Sequence, residues 1–142
     1  MRSTTLVALV SLLAVHAHAQ EPDSVRARRN VPTGLDVEVA QDIAALYNQP
    51  AAMRVSGRLD IPATQIVNGT VAVLRGPVSI GGRVTGNVIV VNGDLTLAPG
   101  ARIDGAVFVV GGYFEGRERA TIGGPIRHYR EPLRFREEDE RI

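Results

Sequence analysis

The apolar residues between positions 55 and 126 recur in columns at a nearly fixed period. Gly86, Gly105 and Gly124 are evenly spaced, and the interval from Gly69 to Gly86 is only slightly shorter. Two and four positions after Gly69, Gly86 and Gly105 the residue is valine, and seven positions after each of them it is glycine. The residues are Val71, Val73 and Gly76; Val88, Val90 and Gly93; and Val107, Val109 and Gly112. A fixed period with several positions in register is typical of a solenoid, in which each repeat forms one coil that stacks on the next.

Within each unit, short alternating stretches such as Asp94-Leu95-Thr96-Leu97 are bounded by Gly, Asn-Gly or Pro. Alternation predicts short strands, and the Asn68-Gly69 and Asn92-Gly93 pairs can adopt the left-handed backbone of sharp corners. A coil as long as the interval from Gly86 to Gly105 accommodates three strands and three corners. The pattern therefore predicts an all-β fold, a short parallel β-solenoid of about three to four coils over residues 55–126. The first unit, from Gly57 to Gly69, is shorter than the others.

An antiparallel barrel or sandwich is the alternative fold, because Asn-Gly also marks two-residue hairpins. The agreement of whole columns from one unit to the next favours the solenoid, since a meander has no reason to repeat residue classes at one offset. The column pattern stops after Gly124 and Ile126, where Glu131-Pro132 interrupts it. Residues 127–142 are predicted to form a charged C-terminal tail or the start of a further segment.

A short helix is predicted before the repeat, in residues 36–50. Asp36 can cap its start, Val39, Ile43, Leu46 and Tyr47 fall near one face at helical spacing, and Pro50 ends it. This helix is expected either to cover the solenoid or to bind a partner.

The segment 1–19 has the pattern of a secretory signal. Arg2 is followed by an apolar stretch from Leu6 to Val15 and by Ala17-His18-Ala19, a small-x-small cleavage site. The apolar stretch is shorter than the roughly 20 residues of a membrane span. We therefore expect an exported protein of the periplasm or outer cell envelope, with residues 20–35 as a flexible linker; an uncleaved anchor is the alternative.

The motif from Gly86 to Gly105, Gly-Asn-Val-Ile-Val-Val-Asn-Gly-Asp-Leu-Thr-Leu-Ala-Pro-Gly-Ala-Arg-Ile-Asp-Gly, resembles the repeats of the bactofilin family, the polymer-forming cytoskeletal proteins of bacteria. The resemblance covers residues 55–126, about half of the chain. It implies a right-handed triangular β-helix that polymerises end to end without nucleotide. Members of that family mostly face the cytoplasm, whereas this chain has an export pattern, and similar repeats also occur as accessory domains of larger envelope proteins.

Alternation predicts an apolar stripe on the outer side of the first strand in each coil. The outward residues there are Ala72 and Leu74, Ile89 and Val91, and Phe108 and Val110, and exposed stripes of this kind usually mark an interface. The candidate interface residues are Leu74, Ile89, Val91, Phe108 and Val110. Self-association through them and cover by the helix are the two alternatives. The open ends of a solenoid also carry unpaired strand edges, which invite stacking of another chain.

The sequence offers little for catalysis or cofactor binding. The chain has no Cys, and His16 and His18 fall in the signal segment, so His128 alone remains, without a surrounding motif and predicted as a surface or end-cap residue. Its 16 basic residues balance 15 acidic ones, which gives no footprint for nucleic acid. The Gly pairs open no phosphate-binding loop. We expect no enzyme activity, no cofactor, no metal site and no nucleotide.

These observations favour an exported structural or scaffold protein of the cell envelope that self-associates. A second hypothesis is an accessory domain of a larger outer-membrane protein. A third is a hexapeptide-type acyltransferase, because Leu97, Ile103 and Val109 recur at every sixth position, but Val91-Asn92 and Glu115 do not extend the series well. The expected partners are other copies of the chain and components of the cell envelope.

Overall fold

The computed structural model describes residues 34–138 and 141–142; the predicted signal segment 1–19 and nearly all of the predicted linker 20–35 lie outside the described residues. In this part of the chain one helix, α1 (Val37–Tyr47), precedes the strands. The strands are β1 (Met53–Ser56), β2 (Leu59–Ile61), β3 (Ile66–Val67), β4 (Val71–Leu74), β5 (Val78–Ile80), β6 (Arg83–Val84), β7 (Val88–Val91), β8 (Leu95–Leu97), β9 (Arg102–Ile103), β10 (Val107–Val110), β11 (Phe114–Glu115), β12 (Thr121–Ile122) and β13 (Ile126–Tyr129), with a 3₁₀ helix (Arg117–Arg119) between β11 and β12.

The strands form three parallel sheets. The first sheet has the order β1-β4-β7-β10-β13, the second β2-β5-β8-β11, and the third β3-β6-β9-β12. Strands that follow one another along the chain belong to different sheets, so the chain passes through all three faces in each coil. This arrangement confirms the predicted β-solenoid with a preceding helix, and it excludes the antiparallel alternative because every strand pairing in the three sheets is parallel.

The register of the first sheet defines the length of each coil. Met53 pairs with Val71, Val71 with Val88, Val88 with Val107, and Val107 with Ile126, so successive coils are nearly equal in length. The expectation of a short first unit was wrong, because it was counted from Gly57. That glycine is the corner after β1, equivalent to Arg75, and the first coil is complete.

Inward side chains from all three sheets fill the solenoid. Because side chains alternate along a strand, every second residue of each strand points inward. The resulting core is almost wholly Val, Ile and Leu, and its central members are buried: Ile61, Val71, Val73, Val78, Ile80, Val84, Val88, Val90, Leu95, Leu97, Ala101, Ile103, Val107 and Val109. Apolar burial is therefore the main favourable term, at about 25 cal/mol for each Å² removed from water.

Helix α1 begins and ends close to where the sequence predicts. The Asp36 side chain caps its start by accepting a hydrogen bond from the Glu38 backbone N–H at 2.9 Å. The predicted apolar face is the packed one: Ile43 and Tyr47 are buried, and Val39 and Leu46 are partly buried.

The first corner of each coil brings backbones too close for side chains. After the first-sheet strands, Gly57, Arg75, Asn92 and Gly111 have φ of 100°, 54°, 53° and 70°, all in the left-handed region. The residue that follows in the later coils is always glycine: Gly76, Gly93 and Gly112. A Cβ at any of these three would overlap the carbonyl group of the glycine at the equivalent corner of the coil below. The glycine in the seventh position of the repeat is therefore required by coil stacking.

Replacing Gly93 by alanine is expected to destabilise the fold by about 1–3 kcal/mol, because the new methyl group overlaps the Gly76 carbonyl oxygen. The matched control is Gly34→Ala, where a Cβ meets nothing within 4 Å. Denaturant unfolding of both variants measures the difference. Equal stabilities would mean that coil spacing at this corner is not limited by the glycine.

Candidate functional site

The apolar stripe predicted on the first sheet exists, and the chain covers it itself. The stripe consists of the outward residues of β4, β7 and β10, which are at most 9% exposed: Ala72, Leu74, Ile89, Val91, Phe108 and Val110. They form one apolar cluster with Ile43 and Tyr47 of α1 and with Leu133 of the C-terminal residues. The middle strands of the first sheet are thus buried on both faces.

This finding decides between the two alternatives for the five candidate interface residues. Leu74, Ile89, Val91, Phe108 and Val110 lie together as predicted, but under the chain's own helix and C-terminal residues. The expectation of an exposed lateral interface at these residues is therefore corrected. The physical reason is that the apolar face of α1 removes the stripe from water within one chain.

The C-terminal residues are the part of this cover that sequence reasoning missed. We call residues 130–138 the C-terminal segment. It runs back along the first corners of the coils, which we call the corner track (Gly111, Asn92 and Arg75). A Cβ at Gly111 would lie 2.7 Å from the Pro132 Cα, so the absence of a side chain there admits the segment.

Asn92 holds the middle of the C-terminal segment. Its Nδ2 donates to the Leu133 carbonyl oxygen at 2.8 Å, and its Oδ1 accepts from the Leu133 N–H at 2.9 Å. Further down the track, the Arg75 guanidinium lies 5.0 Å from the centre of the Phe135 ring and forms an ion pair of 2.9 Å with Glu137. Successive residues of the segment therefore contact successive coils.

Arg75 and Asn92 have a left-handed backbone although neither is glycine. Such a conformation costs a residue with a Cβ roughly 1–2 kcal/mol, less for asparagine. Glycine would avoid that cost, but only a side chain can reach the segment. The left-handed backbone of these two residues is therefore locally unfavourable, and their side-chain contacts with the C-terminal segment offset that cost.

A second asparagine holds Ile142. Asn48, at the end of α1, donates through Nδ2 to the Ile142 carbonyl oxygen at 2.7 Å and accepts from its N–H at 3.1 Å. The interpretation of residues 127–142 as a tail is refined accordingly. Ile126–Tyr129 forms the strand β13, which pairs with β10. After it, Leu133 and Glu137 bind the solenoid and Ile142 binds Asn48.

The two ends of the solenoid are the other candidate surfaces. At the N-terminal end, β1, β2 and β3 are paired on one side only within the described residues, and so are β13, β11 and β12 at the C-terminal end. Several inward side chains are only partly buried at the ends, although Ile61 is buried: Val55, Leu59 and Val67 at the first end, Phe114, Ile122 and Ile126 at the second. Each end therefore presents an apolar cross-section surrounded by strand edges.

His128 occupies an inward column position at the C-terminal end, beside Val109. Its Nε2 lies 2.7 Å from the Gly112 carbonyl oxygen, which requires the Nε2–H to donate, and its ring meets Phe114 edge to face with centroids 6.3 Å apart. The side chain remains exposed. The prediction of a surface or end-cap residue agrees with this position.

The second sheet presents a polar outer face, and so does the third apart from the exposed Ile66. Asp60, Ser79, Thr96 and Glu115 follow one another up the second sheet. On the third sheet, Arg83 and Arg102 both donate to the carboxylate of Asp104, and these hydrogen bonds hold the pKa of Asp104 below its ordinary value. The sequence analysis did not identify these three residues, although the column register already places the like-charged Arg83 and Arg102 next to each other.

The described residues contain no group of three or more His, Asp or Glu side chains placed to hold a metal ion. Among the same residues, no helix has the length and apolar character needed to cross a membrane. Comparisons with protein-family models, curated proteins and solved structures gave no match.

Replacing Asn92 by glycine is expected to loosen the C-terminal segment without changing the corner, since glycine adopts the left-handed backbone freely. Loss of two hydrogen bonds should speed hydrogen exchange at the Leu133 amide by about tenfold or more. Exchange measured by NMR checks this. Asn68→Gly, at an exposed corner, is the control and should leave that amide unchanged, because the hydrogen bonds to Leu133 come from Asn92. An unaltered rate in Asn92→Gly would contradict the role given to Asn92.

Proposed function

We propose that this protein is an exported structural protein of the cell envelope that self-associates through the two ends of its β-solenoid. The observation that carries the proposal is the pair of apolar cross-sections at the ends, each bordered by strand edges that pair on one side only in the described part of the chain. Strand edges of this kind accept further strands unless they are blocked. Export is proposed from the signal pattern in residues 1–19.

The inward columns support end-to-end contact. In a head-to-tail stack, Phe114 would be followed by Leu59 of the next copy and Ile122 by Val67, so two apolar columns would continue across the junction. Burying these side chains and pairing the strand edges would contribute on the order of 5 kcal/mol. The first sheet is less regular, because Ile126 would be followed by Met53 but His128 by Val55.

The outward columns oppose the same contact weakly. Arg127 would lie beside Arg54 of the next copy on the first sheet, and Glu115 beside Asp60 on the second. Like charges on neighbouring strands cost about 0.2–1 kcal/mol for each pair. The apolar term is larger than this repulsion, so the like charges would weaken a head-to-tail contact without cancelling its apolar contribution, and added salt would strengthen it.

Aspartate at either end is expected to abolish assembly with the coil intact. Val55→Asp and Phe114→Asp each place a carboxylate in an end column that is already partly exposed, so desolvation opposes contact while the single chain tolerates the charge. The matched control is Val37→Asp, on the outer face of α1 and 70% exposed. Sedimentation and negative-stain microscopy measure assembly, and circular dichroism checks folding. Wild-type assembly in both end variants, or a monomeric wild-type protein, would overturn the proposal.

Charge reversal at Arg127 tests the direction of the contact. Arg127→Glu would face Arg54 of the next copy in a head-to-tail stack and should tighten association about fivefold. Arg134→Glu makes the same charge change at an exposed residue away from both ends. If Arg127→Glu leaves the association constant measured by sedimentation equilibrium unchanged, the copies do not meet head to tail in this register.

A further inference from the structure

The C-terminal segment is held by few and separable contacts. Within residues 130–138 Leu133 alone is buried and Phe135 is half-buried. The polar and aromatic links of the segment are the two Asn92 hydrogen bonds, the Arg75–Phe135 contact and the Arg75–Glu137 ion pair, whose side chains are 60% and 34% exposed. Beyond the segment, Asn48 adds two hydrogen bonds to Ile142, and exchange would transfer these to the partner as well. Segments with so little buried surface open at a small fraction of the global unfolding free energy.

The connection between the solenoid and the segment is short. Strand β13 ends at Tyr129, whose carbonyl oxygen accepts from the Gly111 N–H at 2.9 Å. Pro132 is already against Gly111, so Arg130 and Glu131 alone turn the chain back. A two-residue turn that reverses direction opens into an extended connection, and short hinges of this kind favour exchange of the following element between copies.

The corner track recognises the segment through groups that any copy supplies. Asn92 binds the backbone of Leu133, while Arg75 binds one aromatic ring and one carboxylate. The same contacts form whether the segment comes from its own chain or from another. The difference in free energy between the closed and the exchanged arrangement then depends on the conformation of the hinge and on protein concentration.

We propose that two copies exchange their C-terminal segments, so that each segment lies on the corner track of the other and closes the partner's apolar stripe. The exchange is reciprocal, as a twofold pair requires. It joins solenoids side by side and uses neither end, so it goes beyond the proposed end-to-end contact and does not depend on it.

Complementary charge reversal tests the exchange. In Arg75→Glu, Glu137 faces a second carboxylate within the chain, and in Glu137→Arg, Arg75 faces a second guanidinium. Each variant alone therefore opposes its own closed segment. In an exchanged pair made of one copy of each, one track–segment contact regains the original charges in reversed positions and the other joins the unaltered Arg75 to the unaltered Glu137, so both are opposite-charge pairs.

The experiment refolds a 1:1 mixture of the two variants, one isotopically labelled, and counts mixed pairs by native mass spectrometry. Both carry Val55→Asp, so that contacts through the solenoid ends do not contribute. We expect roughly tenfold more mixed pairs than pairs of either variant with itself, from the two restored ion pairs. The cross between Arg134→Glu and Glu137→Arg is the control, because Arg134 has no ion-pair partner among the described residues.

The chain that carries both Arg75→Glu and Glu137→Arg has opposite charges in every track–segment contact, so it should form exchanged pairs to the same extent as the protein with Val55→Asp alone. It also shows whether the substitutions permit folding. Mixed pairs at the level of the control cross, with that double variant folded, would overturn the exchange. Because Val55→Asp removes end contacts from every sample, this result leaves the end-to-end proposal untouched.

Discussion

The structure depends on the close stacking of backbones at the corners of the coils. Gly76, Gly93 and Gly112 lie against the carbonyl group of the coil below at a distance that leaves no space for a Cβ. This contact allows the strands of successive coils to pair in all three sheets, and the inward Val, Ile and Leu columns follow from it. The apolar core stabilises the solenoid, and these glycines make the close spacing of its coils sterically possible.

Stacking also produces an apolar surface, which other parts of the chain cover. The coils align the outward residues of the first sheet into one apolar stripe, which would be exposed in the bare solenoid. Helix α1 covers part of it, and the C-terminal segment covers another part by following the corner track. The non-glycine residues at two left-handed corners are explained by this second layer, because their side chains bind the segment. The two proposed contacts between copies use separate surfaces: the ends would extend the solenoid along its axis, whereas exchanged segments would join solenoids side by side.

The sequence by itself determined the coil architecture. Column agreement at Val71, Val88 and Val107 predicted the sheets, their parallel direction and the inward core, because each coil repeats the same local constraints. The apolar face of α1 could be read from Ile43 and Tyr47 in the same way. The start of the first coil could not, since Gly57 looks like a repeat opener and only the pairing of Met53 with Val71 identifies it as a corner.

Tertiary structure decided what covers the stripe. Residues 130–138 have no periodicity, and nothing local connects Leu133 with Asn92, or Glu137 with Arg75, although each pair is in direct contact. Their contacts arise because stacking places the first corners of different coils in one line. A column pattern records which residues are equivalent, whereas the path of an irregular segment depends on the surface that the finished coils present.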